Sequence, residues 1–144
     1  MSAASRLIAG DFPLSRLYPP GIAVTLAPVF LLLPDTLATM QGVIIAMSLG
    51  LVALAYMWSR RIEDDSFSAL VAGFSIAVAP LFVYFSRDGL FDIIGTTYLM
   101  AAMFGANLVR GRGLLWGALW GVLLALAINV RPSNIAILPA VLIY

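Results

Sequence analysis

The stretch "TLATMQGVIIAMSLGLVALAYMWSRRIEDD", Thr36 to Asp65, decides the solvent in which this chain folds. Its first 24 residues, Thr36–Ser59, carry no charge, and five of the next six, Arg60–Asp65, are charged. At about 1.5 Å per residue a helix of that length covers roughly 36 Å, more than the ~30 Å hydrocarbon core of a bilayer. Apolar residues do not alternate with period two, and Leu, Ala and Met are frequent. A helix is therefore expected and a membrane β-barrel is not. The composition says the same: 62% hydrophobic and 10% charged residues over 144 positions, with a mean hydropathy of +1.04. Soluble domains carry about 25% charged residues, so this chain is built for lipid. The net charge of +1 gives nucleic acid nothing to bind. With no Cys and no His, zinc, haem, thiol and imidazole chemistry are excluded, and no metal site is read.

Three more uncharged runs follow: Ser66–Ser86, Ile93–Val109 and Gly113–Val130, which with Thr36–Ser59 are 17 to 24 residues long. Each has the length of a spanning helix. A fifth run opens at Pro132, a residue suited to a first helical position, and reaches Tyr144 with no polar anchor. Ahead of them, "RLYPPGIAVTLAPVFLLLPD", Arg16–Asp35, holds only 13 residues between Pro20 and Pro34. At about 20 Å that run is too short to span, and Pro28 kinks it, so an interfacial or re-entrant helix over 20–34 is expected. The fold expected is an all-α membrane protein. It has four full transmembrane helices, that N-terminal interfacial or re-entrant helix and a partial C-terminal helix. Residues 1–19 form a surface segment, without the apolar core of a signal peptide, and 35–144 a single, apparently incomplete bundle.

Arginine placement orients it. Arg60 and Arg61 share one loop, and Arg110 and Arg112 lie two helices later on the same side. Arg87 and Arg131 lie on the other side, one per loop. The excess puts Arg60–Asp65 and Arg110–Gly113 in the cytoplasm, and residues 1–19, Arg87, Asp88 and Arg131 outside. Trp58, Trp116 and Trp120 gather toward the cytoplasmic side, as an aromatic belt does. Gly117 and Gly121 fit the G-x-x-x-G pattern, which serves either packing within the bundle or docking of another subunit.

Several of these passages, in order, resemble polytopic glycosyltransferases of the GT-C fold, which include protein O-mannosyltransferases and the aminoarabinose transferases of lipid A. "RLIAGDFPLSRLYPPGIAVTLAPVF", Arg6–Phe30, looks like the end of their first extracytoplasmic loop and the juxtamembrane helix after it. "YMWSRRI", "SIAVAPLFVYFSRD", "DGLFDII" and "GLLWGALWGVLLALAINVRPS" follow in the family's order. The resemblance implies transfer of a sugar from a polyprenyl-phosphate donor at the extracytoplasmic face, in the bacterial or archaeal cell (inner) membrane. The family's first helix and its general-base Asp would precede Met1, so no residue here is assigned as catalytic, Asp11 included. The 144-residue chain by itself is expected to be inactive. The alternative is a non-catalytic transmembrane subunit packed against a larger membrane complex.

Asp88 and Asp92 stand four apart near the outer end of the third span, where like charges repel and call for a cation. Arg131, ending the next span on the same side, is the expected partner; Arg87 adjoins Asp88 but diverges around the helix. One reading has Arg87 and Arg131 holding a donor phosphate, with Asp88 or Asp92 orienting them or, in a complete enzyme, a divalent cation. The other has ordinary helix ends that snorkel and pair. Ser133 and Asn134 are suited to capping exposed backbone amides after Arg131. The partners implied are membrane lipids, a polyprenyl-phosphate sugar and other membrane subunits. No cofactor is implied for the chain itself.

Overall fold

The computed structural model describes residues 20–80, 84, 92–109, 113–137 and 139. Among these residues the chain is helical and contains no strand: α1 Pro20–Phe30, α2 Leu37–Glu63, α3 Ser66–Val78, α4 Asp92–Val109, α5 Leu114–Val130 and a 3-10 helix Pro132–Ile137. The expected surface segment 1–19 lies outside the described residues.

Local chemistry sets the boundaries. Thr36, extended, caps α2 by accepting from the Thr39 N–H, and the Thr39 hydroxyl donates to the Pro34 carbonyl at 2.8 Å. Arg60 and Arg61 occupy the last turn, where cations suit the helix dipole. Asp64 then adopts a left-handed conformation (φ 51°) and donates its N–H to the Arg60 carbonyl, which stops α2 and turns the chain. Asp65 caps α3 at once, its carboxylate accepting from the Phe67 and Ser68 amides. Arg60 Nη1 also donates to the Ser66 hydroxyl across the turn.

The Ser68 and Phe67 amides, with a smaller contribution from Arg60, hold the Asp65 carboxyl below its ordinary 3.8. The cap is therefore fully effective above about pH 4 and is lost as pH falls through the lowered value. The melting advantage of the native chain over Asp65→Ala is expected to be constant from pH 7 to about 5 and to fall away in acid, as the pH drops through the lowered folded value. An advantage that grew on acidification would contradict this assignment.

Of the expected spans, α2 alone among the described residues is long and apolar enough to cross a membrane by itself. Its 27 residues extend about 40 Å, and only 17% of its most apolar window is buried, unlike the core helix of a soluble domain. α1, α3 and α5 are apolar but shorter. The second run, expected as one helix over Ser66–Ser86, is interrupted: α3 ends at Val78, and Ala79 is extended (φ −60°, ψ 122°). Pro80 is the cause, because its ring forces the preceding residue out of helical geometry. Where the partial C-terminal helix is expected to begin, Pro132–Ile137 form a 3-10 helix, and the rest of that run, residue 139 apart, lies outside the described residues. α1 ends at Phe30, and Leu31–Leu33 form turns back onto Ala27 and Val29 before Pro34.

α4 is the centre. It packs against both α2 and α5, while α3 packs on α2 and α1 on α5. The Thr97 hydroxyl meets the Met47 carbonyl at 3.1 Å, and the Trp58 and Phe104 rings lie 6.2 Å apart, so α2 and α4 run in the same direction. α5 runs back: Trp120 Nε1 donates to the Ala102 carbonyl at 2.8 Å, and Val130 comes against Gly95. Trp120 is thus part of the α4–α5 seam. A core of Ile22, Leu26, Ile44, Ile93, Ile94 and Val130 joins α1 to the ends of α2, α4 and α5.

The outer surface is far more apolar than that of a water-soluble bundle, and a few polar side chains are buried beside the apolar core. Leu32, Phe67, Phe74, Leu114 and Leu115 face outward, whereas Thr25, Ser48, Thr97 and Asn134 are buried. Every buried side-chain polar atom among the described residues has a hydrogen-bond partner. Groups that cannot reach water must be satisfied internally, so this arrangement suits an apolar surrounding.

Candidate functional site

The antiparallel pair α4–α5 brings the start of one helix to the end of the other, and charge follows from that. Asp92 lies in the first turn of α4, where the dipole favours an anion, and Arg131 ends α5, where it favours a cation. Arg131 is held extended (φ −137°, ψ 97°), as a residue before proline must be, and its N–H donates to the Ala127 carbonyl at 3.2 Å. From there Arg131 Nε lies 3.5 Å from Asp92 Oδ1 and donates to the Ser133 hydroxyl at 3.1 Å. The two charged side chains are 47% and 42% exposed, so they form a boundary pair rather than a buried one.

The pairing of Arg131 with Asp92, expected from topology, is present. Arg87 and Asp88, the other two residues of the expected cluster, lie outside the described residues. The exposure also lowers the stabilisation to be expected of the pair. Half-exposed ion pairs contribute about 0.2–1 kcal/mol, less than a desolvated pair would. Both Nη nitrogens of Arg131 have no hydrogen-bond partner among the described residues, and these are the atoms of the fork that grips a phosphate or carboxylate. No group of three carboxylates gathers among the described residues.

Two neighbours take roles that the sequence did not show. Asn134, buried, donates from Nδ2 to the carbonyls of Ala127 (2.9 Å) and Gly95 (3.4 Å), so it serves carbonyls and not the amides expected of it. Gly95 allows the approach: a Cβ there would sit 3.1 Å from Arg131 Cβ and 3.2 Å from Val130 Cγ1. The signal in sequence was faint, a glycine three residues after an acidic helix start. On the α1 side, Gly21 presses against the Asn129–Val130 backbone, and the Tyr98 and Thr25 hydroxyls meet at 3.2 Å.

No protein family, curated protein or solved structure matches this chain in the comparisons.

Proposed function

We propose that this chain is part of an integral membrane scaffold of the GT-C type, whose outer end binds the phosphate of a polyprenyl-phosphate-linked sugar. The observation that carries the reading is Arg131 at the end of an apolar bundle: its Nε is engaged by Asp92 and Ser133, and its Nη fork has no partner among the described residues. An Arg fork at the lipid–water boundary supplies charge-assisted, bidentate hydrogen bonds to a phosphate while the prenyl chain stays in hydrocarbon. Within this reading Arg87 is a second phosphate ligand, and Asp88 and Asp92 orient the arginines. In a complete enzyme the arginines would stabilise the departing phosphate, and the base on the acceptor would come from elsewhere.

The experiment uses the chain in neutral phosphatidylcholine nanodiscs and farnesyl monophosphate as probe. Arg131→Ala is expected to weaken binding about tenfold or more, as loss of charge-assisted hydrogen bonds does, with Arg131→Lys intermediate. Unchanged binding in Arg131→Ala would sink the donor-site reading. The non-catalytic subunit would then be preferred, a reading favoured by Gly117 and Gly121, which have open space where a Cβ would stand.

The same reading has four spans, with the Arg60–Asp65 turn cytoplasmic and Arg131 outside. Ser66 and Ser133 then face opposite compartments, being separated by three spans. Single cysteines placed at Ser66 and Ser133, in a chain with none of its own, are expected to react with an impermeant maleimide from opposite sides. Labelling of both from one side would rule this topology out.

A further inference from the structure

The side chain that the phosphate-site reading does not use is Asn134. It is 7% exposed, and its amide nitrogen bridges carbonyls on two different helices, Ala127 on α5 and Gly95 on α4. Its backbone N–H donates to the Arg131 carbonyl at 2.9 Å. Arg131 is consequently fixed at both ends of its own residue: its N–H is bound to Ala127 and its carbonyl is bound by Asn134. Asn134 then ties that unit sideways to Gly95, where the missing Cβ leaves room for the stem of Arg131. Gly95 and Asp92 are three apart on α4 and so share a helix face. A stem pinned over Gly95 therefore directs the guanidinium toward Asp92, the arrangement observed.

From this we infer that Asn134 is a positioning residue for Arg131. It locks the end of α5 to the first turn of α4, so that Nε is committed to Asp92 and Ser133 and the guanidinium is held in one orientation. The inference rests on Arg131 being the anion ligand only for its consequence in binding, not for the geometry itself. An Arg with four rotatable side-chain bonds loses much freedom when it grips a ligand, and one already oriented loses less. Removing the strap should weaken anion binding without removing any atom that touches the anion.

The test has two independent readouts on the full chain in nanodiscs. The first is the ¹⁵N-arginine spectrum, in which the Arg131 Nε–H signal is assigned by its loss in Arg131→Lys. In the native chain this proton is expected to exchange slowly; in Asn134→Ala it should exchange at the rate of an unbonded arginine, with helix content unchanged. Asn134→Ser serves if Asn134→Ala does not fold, because serine is too short to reach the Gly95 carbonyl while leaving the backbone bond in place. The second is farnesyl monophosphate binding by the native chain, Asn134→Ala, Arg131→Ala and the double variant. Asn134→Ala is expected to lose about threefold to tenfold, and the double variant to bind like Arg131→Ala alone, because residues acting through one another are not additive. A slow Nε–H surviving in the Asn134 variants, or a loss that multiplies in full with that of Arg131→Ala, would overturn the positioning role. If Nε–H protection is lost in Asn134→Ala but Arg131→Ala binds the probe normally, the positioning role stands and the phosphate-site reading fails.

Discussion

Leu49→Arg is expected to prevent stable insertion of α2, whereas Ile62→Arg should leave it unchanged. Leu49 lies near the middle of α2 and is 66% exposed; Ile62, 67% exposed, lies one residue beyond Arg60 and Arg61 near its end. Equal exposure makes the comparison informative. In water, either change would replace a surface leucine or isoleucine by arginine and cost no more than about 0.5 kcal/mol. In a bilayer, position decides. Exchanging Leu for Arg at the centre of a span costs about 3–4 kcal/mol on the insertion scale, a factor of more than about a hundred in the inserted fraction. Near the helix end the arginine snorkels to the interface at little cost. Neither substitution buries a charge inside the protein, because Ser48 and Leu51, not Leu49, face the bundle. The measurement is the fraction of chain resisting alkaline extraction from membranes, or glycosylation of a tag beyond α2. Equal insertion of both variants would mean that α2 is not a transmembrane helix.

The part of this architecture that the sequence states clearly is the part set by one-dimensional patterns. Charge gaps mark α2, α4 and α5 to within a few residues, since a charge inside hydrocarbon is costly and so ends each run. Asp92 and Arg131 could be paired on topology alone, because an antiparallel neighbour returns its end to the start of the previous helix. What could not be read depends on close approach in three dimensions. The break at Ala79 was open to local reasoning, since Pro80 announces it, but the uninterrupted apolar run concealed it. The polar side chains that join helices could not be read in the same way. Thr97 reaches Met47, Trp120 reaches Ala102, and Asn134 reaches Gly95, over sequence separations that no periodicity encodes. Each bonds to a backbone carbonyl, an acceptor present at every residue, so the side chain carries no signature of its partner.

The same substitution, glycine to alanine, is expected to act in opposite directions at Gly21 and Gly117, and Gly21 gives the larger effect. At Gly117 nothing lies within 4 Å of the added carbon, so only helix propensity changes, and alanine should stabilise α5 by roughly 0.5–1 kcal/mol. At Gly21 a Cβ would stand 2.5 Å from the Val130 nitrogen, 2.6 Å from the Asn129 carbonyl carbon and 2.9 Å from Val130 Cγ2. Two of these three atoms are backbone, and that backbone cannot withdraw: the Arg131 N–H and Asn134 Nδ2 both anchor it to the Ala127 carbonyl. α1 must move instead. The buried side chains of Ile22 and Leu26 then separate from the Ile93, Ile94 and Val130 cluster, and the Thr25–Tyr98 hydrogen bond stretches beyond reach. In lipid the loss is chiefly of close packing and of that bond, because hydrocarbon solvates the exposed apolar surface as well as the protein did. Overpacking of this kind costs about 1–3 kcal/mol. Hydrogen exchange read segment by segment checks it. In Gly21→Ala the amides of α1 should exchange faster while those of α4 and α5 keep their protection. Slow exchange retained throughout α1, with an unchanged melting midpoint, would show that α1 is not held by its contact with the end of α5.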